Sequence, residues 1–130
     1  RLASAERIRR VQAILHALGR IEGGAKQTLH YTDVSPAFVM AVVTKGGNHV
    51  FGRVIKANDQ SLPEIHLGTL QQVQTVFQDD IKSSIYVGRA QGFMDGSATA
   101  LSGIASSVHH PRQALDLLAA ELSLHPEWFD

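Results

Sequence analysis

A single α+β domain is predicted by three features of this chain. It has 130 residues, its helix-period and strand-period stretches alternate, and it contains no internal repeat or linker. Apolar residues make up 44% and charged residues 18%, which is a globular composition. A chain of this size buries roughly two thirds of the surface that its unfolded form exposes, so it needs no covalent staple.

The elements follow in order. Ile8, Val11, Ile14, Leu15, Leu18 and Ile21 recur at helical spacing and predict an amphipathic helix over residues 4 to about 20. Ser4 is its expected N-cap, and Gly23-Gly24 its expected stop. After a polar stretch, the apolar and β-branched run of residues 37–44 reads as a buried strand. Residues 49–55 alternate weakly and read as a second strand or a short helix, and residues 57–63 as a loop. Leu70, Val73, Phe77 and Ile81 mark another amphipathic helix, and Ile85 and Val87 a strand over residues 83–89. Residues 92–107 are rich in Gly, Ala and Ser and read as a loop or a small-residue helix. Pro111 suits the first turn of a last helix that buries Leu115, Leu118 and Leu122.

Composition narrows the chemistry. The absence of cysteine removes disulfides, thiolate ligands and thiol nucleophiles together. It leaves cytoplasm as the expected compartment. No apolar run approaches the length of a membrane span, so no membrane role is expected. Seven histidines invite a metal site, yet none forms an HxH, HxxxH or HExxH pair, and adjacent His109-His110 point apart on most backbones. No metal and no cofactor are therefore expected. Ser97, Ser102, Ser106 and Ser107 lie outside any GxSxG context and read as packing residues. Asp79-Asp80 reads as a solvated helix end. No catalytic residue is assigned, and the expectation is a protein that is not an enzyme.

Charge and glycine placement point instead to a polyanion. Residues 1–60 carry nine Lys/Arg against four Asp/Glu, a net of +5, and residues 61–130 carry three against eight, a net of −5. Such polarity suits a face for nucleic acid or head-to-tail stacking of copies; the plainer reading is that the charges interleave in the folded globule. Gly23-Gly24-Ala25-Lys26 follows a helix and Lys45-Gly46-Gly47-Asn48-His49 follows a strand. Glycine pairs bring backbone N–H groups close to an anion, and the lysines add charge. Neither stretch matches the Walker or dinucleotide patterns. The candidate RNA contacts are Lys26, Gln27, His30, Lys45, Asn48, His49 and Arg53. They combine charge for phosphate, rings for stacking and amides for the 2′-hydroxyl. The structural alternative is that Lys26 and Gln27 solvate a helix end while His30 and Tyr31 fill space beneath a loop.

The stretch LGRIEGGAKQTLHYTDVSPAFVMAVVTKGGNHVFGRVI, residues 18–55, resembles the DevR-like branch of the Cascade backbone subunit of type I CRISPR effector complexes. The resembling features are a helix ending in G-G-A-K, the H-Y-T-D-V-S-P segment, the apolar strand and G-G-N-H. The resemblance implies an RNA-recognition-motif-like, ferredoxin-like sheet packed by amphipathic helices. It implies a non-catalytic subunit in antiviral defence that holds single-stranded guide RNA by its backbone. Expected partners are other copies of the chain, further effector subunits and, indirectly, target DNA. Family members are usually about twice as long or more, and this chain opens on Arg1, so a C-terminal portion of a longer chain is expected. The competing expectation is a small α+β enzyme or ligand-binding domain with a pocket near His30, His49 and residues 92–103.

Overall fold

Helix α1 (Ser4–Gly19) and helix α4 (Pro111–Leu124) lie antiparallel, one near each end of the chain. Ile8 packs against Leu118 and Leu122, and Gln12 Nε2 donates to the Ala119 carbonyl at 2.7 Å. Near the other end of the pair, Arg112 Nε donates to the Gly19 carbonyl at 3.2 Å. The computed structural model describes residues 2–21, 35–47, 49–105 and 108–130. Ser4 is not the N-cap. Ala3 takes that place with extended dihedrals, while the Ser4 hydroxyl lies 3.3 Å from both Asp130 Oδ1 and Arg7 Nη2. The helix ends at Gly19, ahead of the glycine pair expected to stop it, and residues 23–24 lie outside the described residues.

Strand β1 (Phe38–Ala41) pairs antiparallel with β4 (Tyr86–Arg89), Phe38 opposite Arg89 and Ala41 opposite Tyr86. Strand β5 (Val108–His109) pairs parallel with β4, so the mixed sheet has the order β1-β4-β5. Successive residues of a strand face opposite sides. Phe38, Met40 and Val42 accordingly enter a cluster with Val54, Ile65, Leu70, Val87 and Leu101, while Ala41 and Val43 join Ile8, Leu118 and Leu122. Both faces of the sheet are covered, which is why the run from 37 to 44 is apolar throughout rather than alternating. The strand is shorter than that run and half-buried, with Thr44 adding an isolated antiparallel bridge to Ile81.

Opposite the helix pair, β2 (Ile55–Ala57) and β3 (Pro63–Ile65) form a two-stranded hairpin. The expected loop after residue 57 is its turn, where Asn58 Oδ1 accepts the N–H groups of Gln60 and Leu62 at 2.9 and 3.1 Å. Helix α2 (Leu67–Val76) buries Leu70 and Val73 as expected but stops before Phe77 and Ile81. The N–H groups of Asp80 and Ile81 turn back onto the Phe77 carbonyl, which releases Ile81 to pair with Thr44. Residues 95–97 form a 3-10 turn that leads into the short helix α3 (Ala98–Ser102). Pro111 opens α4 as expected, and a 3-10 turn (Pro126–Phe129) ends the chain against α1. The molecule is thus one small α+β domain. No helix among the described residues is long and apolar enough to cross a membrane.

Candidate functional site

Three expected RNA contacts among the described residues fall in the connection between β1 and β2. Its anchors are two buried valines, Val50 and Val54, 5% and 1% exposed, with the His66 N–H bonded to the Val54 carbonyl at 2.7 Å. At its start, the Lys45 N–H donates to the Asp80 carbonyl at 2.7 Å, and the Lys82 N–H donates to the Val43 carbonyl at 2.8 Å. Between the two valines Phe51 turns in and packs against the core, while Arg53 stays outside. Lys45, His49 and Arg53, each four residues from the next, are all exposed.

Gly46 stands at φ 87°, in the left-handed region, so the turn after Lys45 requires a residue without Cβ. Arg53 adopts φ 68°, an uncommon conformation for a residue with a side chain. His49 lines a groove of about 370 Å³ together with apolar residues that include Val11, Leu15, Met40 and Leu118. The backbone pairing also sets Asp80 beside Lys45. Lys26, Gln27, His30 and Asn48, with Tyr31, lie outside the described residues.

Opposite charges of the two halves meet at the surface, across the α1–α4 pair. Arg20 grips Asp116 with two donors, Nη1 to Oδ1 at 2.9 Å and Nη2 to Oδ2 at 2.7 Å, and His16 Nδ1 lies 2.7 Å from Oδ1. The Arg20 guanidinium holds the Asp116 carboxyl well down, at about 2. Here the charges interleave rather than segregate. Arg9 and Arg10 are satisfied within α1 by Glu6.

The histidines scatter, and no group of three or more potential metal ligands occurs among the described residues. His110 caps α4, accepting the Arg112 N–H on Nδ1 at 3.1 Å. His125 lies between Glu121 and Glu127. The ligand-binding alternative expects His30, His49 and residues 92–103 around one pocket; His30 lies outside the described residues, and the structure separates His49 from residues 92–103. Gly92 and Gly96 line a cleft with Asn58, Leu62 and Phe93, and His49 lines the groove beside α1. A further cleft opens where β4 and β5 end, lined by Arg89 and the adjacent His109 and His110. The linear pattern gave no sign of this grouping, because only the parallel pairing of β4 with β5 brings Arg89 to the two histidines.

No family model, no curated protein and no solved structure matches this chain.

Proposed function

We propose that the protein binds single-stranded RNA by its backbone, with little sequence preference and without catalysis. One observation carries the reading. Lys45, His49 and Arg53 project from a single pinned connection, all exposed and without an ion pair among the described residues. Two cations and a flat ring on one pinned connection are the donors and stacking surface that phosphates and splayed bases need.

The finer form of the proposal is a guide-RNA-binding backbone subunit of a type I CRISPR effector complex. It has an RNA-recognition-motif-like sheet, and copies stack along the RNA in the cytoplasm. Its support is the resemblance of residues 18–55 together with the antiparallel β1–β4 pair covered by helices. Lys26, Gln27, His30 and Asn48 are further proposed RNA contacts, outside the described residues.

Filter binding of a single-stranded RNA at several salt concentrations tests the reading. Affinity falls with salt at a log–log slope of about −0.7 for each phosphate neutralised. In the triple variant Lys45→Ala/His49→Ala/Arg53→Ala the slope becomes shallower by roughly 1.4, since two phosphate contacts are lost. Loss of one stacked base adds a decrease of about 1–3 kcal/mol, roughly five- to hundred-fold in affinity. The decrease is similar across RNA sequences, because phosphate contacts position a protein without reading bases. Full affinity in the triple variant refutes this surface.

A further inference from the structure

The cleft at the carboxyl ends of the parallel strands β4 and β5 has a donor set of its own. It measures about 510 Å³ and is lined by Arg89, Gln91, Ser102, His109, His110 and Gln113. In open sheets the space beyond the carboxyl ends of parallel strands is where ligands settle, because helices start there. The β4–α3–β5 crossover builds such a place, and α4 begins at its rim with Pro111. The close approach of Gly88 to Pro111 holds the helix start against the strand end.

Hydrogen bonding inside the rim fixes what the cleft can offer. His110 Nδ1 accepts the Arg112 N–H at 3.1 Å, so the ring proton resides on Nε2 as a donor. Gln113 Oε1 accepts the His110 N–H at 3.2 Å, which leaves the Gln113 NH₂ group to donate. The reciprocal cap therefore consumes the acceptors of both side chains and leaves their donors. Arg89 adds a guanidinium whose side chain is only 16% exposed and whose Nε is buried without a hydrogen-bond partner. It is bonded to Asp95 and to the Phe93 carbonyl at 3.0 Å, but the Asp95 carboxylate is itself 61% exposed and solvated. No carboxylate lines the cleft among the described residues. Ser102 spends its proton on the Ala98 carbonyl at 3.0 Å and can only accept.

We propose that this cleft binds the phosphate group of a small phosphorylated ligand, held by Arg89 and by the outward donors of His110 and Gln113. A phosphate accepts from several donors at once, and the positive end of the 14-residue helix α4 adds to the attraction. The cleft sits at the Arg89 end of β4, and the connection carrying Lys45, His49 and Arg53 departs from β1 near the Tyr86 end. The two sites are therefore separate, and the phosphate site does not depend on the RNA reading.

Titration of the full chain with inorganic phosphate, followed by amide chemical shifts, tests the proposal. Saturable shifts are expected at the amides of His109, His110, Arg112 and Gln113 and at the Gln113 side-chain amide. His110→Asp retains a residue that caps helices well, and Gln113→Glu retains the acceptor for the His110 N–H. Both keep the melting temperature, place a carboxylate in the cleft, and weaken phosphate binding at least ten-fold. Lys45→Ala/His49→Ala/Arg53→Ala leaves phosphate affinity unchanged. A single-stranded RNA lacking terminal phosphates does not displace the bound phosphate. Four results overturn the proposal: no saturable shift, unchanged affinity in both carboxylate variants, shifts confined to residues 45–53, or displacement by that RNA.

Discussion

His125 sits just past the last turn of α4, where each of its ring nitrogens meets a carboxylate. Nδ1 lies 2.8 Å from Glu127 and Nε2 lies 2.9 Å from Glu121. Only the imidazolium donates from both nitrogens, so this geometry favours the charged ring. The hydrogen bond to Glu127 is the largest influence raising its pKa; partial desolvation opposes it, and Glu121 adds to it. Lys82, which precedes β4, acts on Glu127, and Tyr86 of β4 senses Glu121, so groups outside α4 also face this cluster. Because the folded value lies above the ordinary 6.5, the stabilisation is complete below about pH 6.5. It is lost as pH rises through the folded value. The ring stacks on Trp128, the only tryptophan, with centroids 4.2 Å apart and planes 11° apart. An imidazolium quenches a stacked indole, so Trp128 emission rises as His125 deprotonates. In His125→Gln that step disappears; a step that persists refutes the assignment.

At the scale of elements, the packing of β4 against α4 turns on Gly88. A Cβ there would lie 2.4 Å from Pro111 Cα and 2.9 Å from Val39 Cγ1, with backbone on one side that cannot yield. Gly88→Ala therefore forces β4 and α4 apart, at a cost of about 1–3 kcal/mol or more. Denaturant melts read this loss directly. Gly47→Ala is the control, since nothing lies within 4 Å of its Cβ position and its φ is not positive. A Gly88→Ala protein as stable as the Gly47→Ala protein would disprove this account of the junction. Gly46 differs from both, because at φ 87° its constraint is backbone strain rather than crowding.

Over the whole molecule, two apolar clusters share one three-stranded sheet. Leu70, fully buried, belongs to the hairpin side and Leu118, 4% exposed, to the helix side. Leu70→Ala and Leu118→Ala should each cost about 2–5 kcal/mol, as large-to-small changes in a core do. Since β1 and β4 contribute to both clusters, either variant should unfold in one transition. Trp128 fluorescence reports the helix side and far-UV circular dichroism reports the whole chain. Non-coincident transitions would mean that the two sides are separately stable.

At this same scale, the sequence by itself determined the two flanking helices, the apolar central run and the start of α4 at Pro111. These rest on local physics: a 3.6-residue period, a continuous apolar stretch and a proline that tolerates a helix start but not its interior. The exposure of Lys45, His49 and Arg53 was legible in the same way, as polar residues around a glycine turn. Only the tertiary structure decided β5, whose two residues are too few to show a period and gain strand form by pairing with Val87 and Gly88. It also set Asp80 beside Lys45, joined Arg20 to Asp116 and gathered Arg89 with His110 and Gln113. These contacts join segments far apart in the chain. No pattern along the sequence encodes them, because burial of both sheet faces chooses which ends meet.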